Sequence, residues 1–543
     1  MLHAILKKTF ISLSALILIA CANTPAMHVE RKISHAPIPD ASTPLAQALS
    51  KAKHTDGQSG AYPLVDGVQA LAIRTSLIKN ARKNLDVQYH SIHKGISTAL
   101  LTQETILAAR RGVKIRILVD GVDAQGSRSE LDLIAGEPNI ELRIFNPVKR
   151  MNNNFFTRNG MFLLHINRLH RRMHHKLLIA DGAIGLTGGR NIGDAYFSAD
   201  GLDNFSDIDV LLGGAAVQEL GKSFDTYWNS ANSWPVQALH AAGDQPTAKD
   251  VQNFTQGIQT IMDNAHAKKH PYVAAVEQAE HTLLPQALQG MEWGDVRVIS
   301  DPDTKINHSP VSRQIILTGN PDAAVFNQTV AMIRAAKSEV LIVNAYILPG
   351  DALTTLLEET VKRGVSVIVV TNSLDSNDVP FAMAHFGKYR SRLIKAGVQW
   401  YELRGFPLAD AEGKPVGTSQ FFSNGNSRLA LHTKAMVVDG RNAFVGSMNL
   451  DPRSIVWNTE MGVFFDNAPF AQTIRKVLLN AAQPEYSYAV RMDEQGRVTW
   501  TLPPVLSAHD LKYYPNRTPE IEPSSRKRKL IKWLAKIVPE TYM

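Results

Sequence analysis

The feature that most constrains the fold of this chain is a short stretch that it contains twice. "RRMHHKLLIADG" covers residues 171–182, and "LALHTKAMVVDG" covers residues 429–440. In both copies a His and a Lys stand two residues apart, an Asp follows the Lys after four mostly apolar residues, and a Gly comes next. A chain that repeats this pattern 258 residues later, from His174 to His432, is built as two related halves.

The duplication extends well beyond the His-Lys stretch. "NARKNLDVQYHSI" (80–92) resembles "RAAKSEVLIVNAYIL" (334–348), and "ILAARRGVKIRILVDG" (106–121) resembles "LEETVKRGVSVIVVTNS" (357–373). Each pair predicts a helix followed by a strand with β-branched residues, and "IELRIFNP" and "VQWYELRG" add one more strand to each copy. The order β-α-β-α-β predicts an α/β fold, with a sheet covered by helices in each half. Two copies are too few for a solenoid.

The length of 543 residues agrees with two domains, because one hydrophobic core rarely serves so long a chain. The predicted boundaries are residues 1–21 for a signal peptide, 22–62 for a tether, 63–235 for the first domain, 236–295 for a helical connecting segment, 296–490 for the second domain and 491–543 for a C-terminal tail.

The N-terminus predicts an exported, lipid-anchored protein. A short basic start, "MLHAILKK", precedes twelve apolar or small residues, "TFISLSALILIA", which are too few to span a bilayer but fit the apolar core of a secretory signal. "LIAC" ends at Cys21, the only cysteine, and resembles a bacterial lipobox. Cys21 is therefore expected to carry the lipid and to hold the protein at a membrane, facing the periplasm. By resemblance to known lipoproteins, Ala22 in place of an Asp after the cysteine favours outer-membrane sorting. The alternative is a plain signal peptide with an accidental cysteine.

The net charge of +8 is concentrated near the C-terminus. Six basic residues lie between positions 524 and 539, and the rest of the chain carries only +2. A nearly neutral body argues against a nucleic-acid-binding protein, which usually presents a broad basic face. The tail predicts a basic amphipathic helix that lies on an anionic membrane, and the alternative is a helix that packs on the protein with its lysines in solvent. Its apolar set is Leu530, Ile531, Leu534, Ile537 and Val538, flanked by Trp533.

Alternation along a strand places the His and the Lys of each copy on one face. Asp181 and Asp439 follow five residues after the lysines and point the other way, so we assign them a structural role in holding the turn that follows. "GLTGGRNIGD" and "FVGSMNLDPRS" then place an Asn seventeen residues after each His. The candidate site residues are thus His174, Lys176, Asp181 and Asn191 in the first copy, and His432, Lys434, Asp439 and Asn449 in the second.

These side chains suit the chemistry of a phosphodiester. One His can attack phosphorus while the other protonates the leaving alcohol. Two lysines and two asparagine amides supply positive charge and hydrogen-bond donors where negative charge develops. No cluster of metal-ligating residues accompanies either copy, so we expect the lysines to act in place of a metal ion and no cofactor to be needed. Each copy is half of a site, and the two must meet.

The doubled His-x-Lys, Asp, Gly/Ser and Asn pattern is similar to the signature of the phospholipase D superfamily, over roughly residues 65 to 490. The resemblance implies two tandem α/β domains, each a mixed sheet flanked by helices, packed pseudo-symmetrically around one shared active site. It also implies a covalent phosphohistidine, with His174 as nucleophile and His432 as acid and then base, or the reverse. The family further places a carboxylate downstream to orient each His. The matching positions here are Asp207, with Asp209 as a rival, and Glu460.

Longer strings, "GGRNIGDAYF", "RRMHHK", "KYRSRLIKAGVQWYEL" and "VGSMNLDPRS", resemble the bacterial cardiolipin synthases, in particular their C-type branch. That implies transfer of a phosphatidyl group to phosphatidylglycerol, with phosphatidylethanolamine as a possible donor. The expected partners are phospholipids and a bacterial membrane, without nucleic acid. Hydrolysis by a phospholipase D is the main alternative, since it uses the same catalytic residues. A nuclease and a non-catalytic lipid-binding lipoprotein are further alternatives.

Two weaker sets of residues accompany the motifs. Arg168, Arg171 and Arg172 precede the first His and could contact a phosphate or a lipid headgroup, or could form a solvated basic loop. His385 and Tyr389 match a stretch near the family's site, although packing explains them equally well. Cardiolipin synthesis is usually tied to the inner membrane, whereas the residue after Cys21 favours the outer one, so the two expectations about location disagree.

Overall fold

The fold is described by a computed structural model for residues 31–52, 57–121, 124–147, 170–201, 203–239, 245–307, 320–406, 427–501, 520 and 522–536. Cys21 with the rest of the predicted signal peptide lies outside these residues, as do Arg168, Ile537 and Val538. Across the described ranges, none of the helices combines the length and the apolar content that crossing a membrane requires.

The first half alternates strands and helices as the sequence predicts. Its elements are α1 (Pro44–Ser50), β1 (Ser59–Leu64), α2 (Gly67–Asn80), β2 (Asn84–Tyr89), α3 (Ile96–Arg110), β3 (Lys114–Asp120), α4 (Ala124–Ile134), β4 (Ile140–Phe145), β5 (Lys176–Ala180), β6 (Ile184–Gly188), β7 (Asp203–Ser206), β8 (Asp209–Gly214), α5 (Ala215–Trp228) and β9 (Ser233–Pro235).

Two helices, α6 (Ala248–Ala267) and α7 (Pro271–Gln289), connect the halves. The second half and the tail contain β10 (Glu292–Ser300), α8 (Ala324–Ala335), β11 (Glu339–Asn344), α9 (Gly350–Lys362), β12 (Ser366–Asn372), α10 (Phe386–Ala396), β13 (Gln399–Leu403), β14 (Arg428–Leu431), β15 (Lys434–Val438), β16 (Asn442–Gly446), β17 (Met461–Asp466), α11 (Ala468–Ala481), β18 (Ser487–Met492), β19 (Val498–Trp500) and α12 (Arg526–Ala535).

Local chemistry explains the repeated helix-to-strand turns. Gly112 follows α3 with φ +96°, and Gly364 follows α9 with φ +86°. This left-handed conformation ends a helix at little cost only when the residue has no Cβ. Because the turns match, β3 and β12 start at equivalent positions in the two copies.

The two halves repeat one sheet topology. In the first half β4, β3 and β2 run parallel, and β5, β6 and β8 follow with antiparallel pairing. In the second half β13, β12 and β11 run parallel, and β15, β16 and β17 follow in the same way. The prediction of two tandem α/β domains, each with a mixed sheet flanked by helices, is confirmed.

The two sheets join through β1 and β10. β1 pairs with β8 of its own half and with β10, and β10 pairs with β17. This corrects the predicted tether, because β1 begins at Ser59, inside the segment 22–62. Residues before β1 also contact the domain, since the amide of Ala36 donates to Asp225 and Leu45 is buried. The predicted tail likewise starts too early, because β18 crosses position 491 and forms a hairpin with β19.

The core between the halves is shared. One cluster of buried apolar side chains includes Leu212 and Phe224 from the first half together with Val445 and Phe465 from the second. A separate cluster, which includes Leu357, belongs to the second half alone. The shared cluster ties the stability of each half to that of the other.

The C-terminal helix α12 packs on the body with part of its basic face. Arg528 donates to the backbone oxygen of Leu374 at 3.2 Å, and Lys532 binds Glu522 of the tail at 2.8 Å, which in turn binds Arg390 of α10 at 3.2 Å. Leu530, Trp533 and Leu534 are exposed, with 56%, 64% and 49% of their surface accessible. The helix thus packs on the body, as the alternative reading of the tail expected, and Arg526, Lys527 and Lys536 are in solvent, whereas Arg528 and Lys532 are bound and three apolar side chains are exposed.

We predict that Leu212→Ala lowers the unfolding free energy by about 2–5 kcal/mol, the usual cost of removing a buried leucine side chain. Because the shared core spans both halves, amide hydrogen exchange should become faster in peptides from both. Leu357→Ala is the matched control and should speed exchange in the second half alone. Faster exchange confined to the first half in Leu212→Ala would contradict a shared core.

Candidate active site

The backbone of each motif pairs with the opposite half. The amide of His174 donates to the carbonyl of Thr459 at 2.9 Å, and the amide of Thr459 donates to the carbonyl of Arg172 at 2.8 Å. In the second copy β14 pairs in parallel with β7, and the amide of His432 donates to the carbonyl of Ser206 at 2.9 Å. These exchanged backbone bonds bring the two motifs together.

The two histidines exchange their carboxylate partners in the same way. Nδ1 of His174 donates to Glu460 at 2.9 Å, and Nδ1 of His432 donates to Asp207 at 2.6 Å. The sequence analysis placed one carboxylate downstream of each His. In the structure each of these carboxylates binds the histidine of the other half. With the proton on Nδ1, each imidazole keeps its lone pair on Nε2, the nitrogen that can attack or accept a proton.

Glu460 is held by hydroxyl groups of its own half. The hydroxyl of Ser454 donates to one carboxylate oxygen at 2.8 Å, and the hydroxyl of Ser447 donates to the other. The amide of Glu460 donates to Asp301 at 3.0 Å. The carboxylate that orients His174 is thereby fixed before any substrate arrives.

Asp207 is held by close packing against a glycine. A Cβ at Gly189 would lie 2.1 Å from a carboxylate oxygen of Asp207, so a side chain there would force that carboxylate to move. The same carboxylate accepts a hydrogen bond from the amide of Ile208 at 2.8 Å. Gly189 and Ser447 occupy equivalent positions, and the difference between them follows from how each loop holds its carboxylate.

The motif lysines are buried beside the histidines. Nζ of Lys176 donates to the carbonyl of His174 at 2.6 Å, and Nζ of Lys434 donates to the carbonyl of His432. β5 and β15 each start at the lysine, so each His lies two residues before the strand and not within it. Burial lowers the pKa of Lys434.

The two motifs lie close enough for the charges of each to shift the histidine pKa of the other. Burial lowers the pKa of His174 well below its ordinary value, and the ammonium groups of Lys176 and Lys434 lower it further. Burial lowers the pKa of His432 in the same way, again with both lysines contributing. Each histidine therefore responds to the lysine of the opposite half, and both rings are neutral at neutral pH. A neutral imidazole is the form that acts as a nucleophile.

The two asparagines lie at the same site with their side chains buried. The amide of Asn191 donates to the hydroxyl of Tyr196 at 3.0 Å, and the Tyr196 ring packs edge-on against His432 at 5.1 Å between centroids. The side-chain oxygens of Asn191 and Asn449 have no hydrogen-bond partner among the described residues. In this orientation one N–H of the Asn191 amide is used by Tyr196 and the other is left for a substrate, and a 180° rotation of the amide would exchange its oxygen and its NH₂ group.

Asp181 and Asp439 lie apart from the histidine pairs. Asp181 accepts hydrogen bonds from the amides of Arg82, Lys83 and Asn84 at 2.8–3.2 Å. Both aspartates have positive φ, +53° in each case. They were assigned to hold the turn that follows them, but they hold the segments that lead into β2 and β11. In the second copy the amide donors to Asp439 are Lys337, Ser338 and Glu339, at 2.7–3.2 Å.

Asp209 is excluded as the partner of a histidine. It accepts hydrogen bonds from Arg74 at 2.8 Å and from Arg190 at 3.3 Å, inside the first half. Arg172 is buried and binds Asp120 at 3.0 Å, so neither a solvated loop nor a free phosphate contact describes it. Tyr389 packs in a small apolar cluster.

The remaining weak candidates have local roles. Arg171 donates to the carbonyl of Ile306 at 2.7 Å, and His385 is the residue that precedes α10. Among the described residues, no group of three or more His, Cys, Asp or Glu side chains is arranged to hold a metal ion.

Two residues at the site were missed by the sequence analysis. The ring of His90 meets His174 edge-on with 4.9 Å between centroids, and its Nδ1 donates to the carbonyl of Met173 at 3.1 Å. The other missed residue is Tyr196, whose ring packs against His432. His90 directly follows the carboxyl end of β2, where side chains of an α/β sheet commonly line a site, and that position was a usable signal.

The comparisons with known proteins agree with this geometry. The family model described as "Cardiolipin synthase, PLD-like domain" matches residues 75–228 and 329–481, together more than half of the chain. Cardiolipin synthase C of Escherichia coli (strain K12) is 32% identical over 445 residues, which cover 82% of this chain and 89% of that protein. Cardiolipin synthase A of Proteus mirabilis is 25% identical and covers 86% and 77% respectively.

Among solved structures, phosphatidylserine synthase from Haemophilus influenzae Rd KW20 aligns with a TM-score of 0.55 at 12% identity. The alignment covers 92% of this chain and 99% of that one. At this identity the likeness concerns the fold, and it extends over both halves.

We predict that Asp439→Asn weakens folding more than chemistry. The backbone amides outweigh burial and hold the pKa of Asp439 below its ordinary value, so the carboxylate is charged and its hydrogen bonds are strong. Loss of that charge should cost about 1.5–3 kcal/mol of unfolding free energy in denaturant titrations. Turnover per folded molecule should fall less than roughly tenfold. A thousandfold loss of turnover with unchanged stability would make Asp439 catalytic.

We predict that His175 makes the fold sensitive to acid. Its ring is buried against Tyr227 at 4.3 Å, and burial, followed by the charge of Lys176, lowers its pKa to about 3. As the pH falls below about 6.5, the unfolded chain binds a proton that the folded protein rejects until about pH 3. Stability is therefore complete above pH 6.5 and is lost as the pH falls toward 3.

His175→Gln should remove this contribution. The slope of unfolding free energy against pH between 6 and 4 should become smaller by about 1.4 kcal/mol per pH unit. Urea titrations at several pH values measure both slopes. Equal slopes for the two proteins would contradict a neutral, buried His175.

Proposed function

Because this chain belongs to the phospholipase D superfamily, within the family described as "Cardiolipin synthase, PLD-like domain", we propose that it makes cardiolipin by moving a phosphatidyl group onto phosphatidylglycerol. The enzyme class that its relatives support is a phospholipase D-type phosphatidyltransferase. The observation that carries the proposal is the exchanged pair His174–Glu460 and His432–Asp207, with a buried lysine beside each histidine.

In the first step Nε2 of His174 attacks the phosphorus of a donor phospholipid. The bond from phosphorus to the headgroup oxygen breaks, and that oxygen takes a proton from Nε2 of His432 as the alcohol leaves. Glu460 accepts a hydrogen bond from Nδ1–H of His174 throughout, which supports the positive charge that develops on the imidazole. The product is a phosphatidyl group bonded to His174.

In the second step the free hydroxyl of phosphatidylglycerol replaces the departed alcohol. His432 takes the proton from that hydroxyl, the oxygen attacks phosphorus, and the bond from phosphorus to His174 breaks. The two steps return both histidines to their starting protonation. Asp207 holds the Nδ1 proton of His432 in both steps, so that Nε2 is the atom that gives and then takes the proton.

The negative charge of the substrate favours protonation of His432, the acid of the first step. Burial and then the ammonium groups of Lys434 and Lys176 lower the pKa of His432 and keep it neutral in the substrate-free site. A phosphodiester brings one negative charge between them, which offsets the lysines and favours the protonated form of His432. The acid is thus charged only when there is a substrate to act on.

Burial of the site favours transfer over hydrolysis. His174 and His432 are only 7% and 6% exposed, so bulk water has little access to the phosphohistidine. The hydroxyl of a lipid that is held in the site by the rest of its contacts then competes well with water for the phosphohistidine. A hydrolytic phospholipase D, which would release phosphatidic acid, remains the second candidate because it uses the same residues.

We also propose that the protein works on a membrane surface, anchored through a lipid on Cys21 and facing the periplasm, with the outer membrane favoured by Ala22. The exposed apolar side chains of α12, Leu530, Trp533 and Leu534, support a contact with lipid, because aromatic and aliphatic groups beside basic residues suit a bilayer interface. Phosphatidylethanolamine is the proposed donor.

We predict that protein lacking residues 1–21 forms cardiolipin in vesicles of phosphatidylglycerol and phosphatidylethanolamine. His174→Ala and His432→Ala should each lower the rate by about 10⁴-fold or more, because each removes a group that acts in both steps. The matched control is His281→Ala, which replaces an exposed histidine of α7 and should keep the wild-type rate. Products are separated by mass.

The released headgroup identifies the donor. Ethanolamine would mark phosphatidylethanolamine, and glycerol would mark a second phosphatidylglycerol. Phosphatidic acid without cardiolipin would make the protein a phospholipase, and no lipid turnover would reject the proposal. In His432→Ala, a labelled phosphatidyl group recovered on His174 after acid-free quenching would identify the nucleophile.

A further inference from the structure

A large apolar cavity lies in the first half, and neither motif histidine lines it. Its volume is about 710 Å³, within the range of small-molecule sites and far above the gaps of ordinary packed cores. The sheet contributes Tyr89, Ile117 and Leu178 to its floor, and α3, α4 and the connecting helix α6 form its walls. The reaction steps above do not account for this space.

The connecting helix turns an incompletely buried apolar stripe toward the cavity. Phe254, Ile258 and Ile261 line it at positions i, i+4 and i+7, which share one helical face. Phe254 and Ile258 are only half-buried, and Ile261 is 47% exposed. A helix normally buries such a stripe fully against its neighbours. The apolar face of α6 therefore lacks the contacts that would cover it within the described chain.

The cavity adjoins the active site through one aromatic side chain. His93 and Ile192 belong to its wall, and Ile192 directly follows Asn191. The ring of His93 stacks on Tyr196 at 6.3 Å, and Tyr196 meets His432 at 5.1 Å. Both wall residues lie on loops at the carboxyl end of the sheet, the edge at which the two histidine pairs lie.

We propose that this cavity binds one hydrocarbon chain of the phospholipid whose phosphate lies between the two histidines. The inference rests on the proposed function, because it assigns the acyl part of the same substrate. A phosphatidyl group joins a charged phosphate to long apolar chains. The protein likewise places a site with two buried lysines beside an apolar cavity. Burial of the chain would supply binding energy remote from the reacting phosphorus, which can be used for orientation.

Gly257 allows a test that leaves the fold intact. It lines the cavity, and a Cβ at this position would have no neighbour within 4 Å. The backbone at this position therefore accepts a Cβ, and Gly257→Phe would place a ring in the cavity and remove a glycine from the middle of α6, which favours the helix. Gly257→Ala is the control for helix stability, and Gln256→Phe is the matched control on the exposed outer side of the same helix.

Straight-chain alcohols of six, eight and ten carbons probe the cavity without any chemistry. Calorimetry on the wild type should show binding that tightens roughly 15-fold for every two added CH₂ groups, about fourfold for each. Gly257→Phe should abolish this binding, whereas Gly257→Ala and Gln256→Phe should keep it. Absence of alkanol binding, or equal binding in Gly257→Phe, would overturn the proposal.

Turnover links the cavity to the substrate. With water-soluble phosphatidylglycerol, kcat/KM of the wild type should rise roughly 15-fold from six-carbon to eight-carbon chains, and Gly257→Phe should lose that gain. Lipid turnover with the same chain-length dependence in Gly257→Phe would reject the acyl assignment and keep the proposed function. Alkanol binding without turnover of any lipid would reject the proposed function and, with it, the assignment to a substrate chain.

Discussion

The active site depends on one reciprocal exchange, in which the carboxylate of each half orients the histidine of the other. His174 binds Glu460 and His432 binds Asp207, while the neighbouring backbone segments pair across the same boundary. Neither half alone contains a histidine with its orienting carboxylate. The duplication is thus required for the chemistry, and the joined sheets and shared core hold the two halves in the one arrangement that completes the site.

The same arrangement has an electrostatic cost, which the substrate can offset. Two lysines and several histidines are buried in one region, and burial disfavours every positive charge there. The protein leaves the histidines neutral and supports the lysines with backbone oxygens and with Asp207 and Glu460. In the proposed reaction a phosphodiester would supply the missing negative charge. Preference for an anionic substrate and protonation of His432 would then have one common cause.

Sequence patterns predicted most of the fold because the repeat is regular. β-branched strands, glycine-closed helices and the two motifs all lie where their patterns indicated. The exchange of carboxylates could not be read from the sequence, because downstream position along the chain does not reveal which half a side chain faces. The boundary at β1 was missed for a related reason, since a short strand after a Pro- and Ala-containing segment has no pattern of its own. His90 and Tyr196 gain their importance from contacts across the fold.

The central claim concerns the exchanged pairs, and proton NMR of histidine-labelled protein tests it most directly. An Nδ1–H that donates to a buried carboxylate gives a resolved low-field signal, so two signals are expected. The account predicts that His174→Ala and Glu460→Gln remove the same signal, and that His432→Ala and Asp207→Asn remove the other. If His174→Ala and Asp207→Asn instead remove the same signal, each half orients its own histidine and the account is wrong.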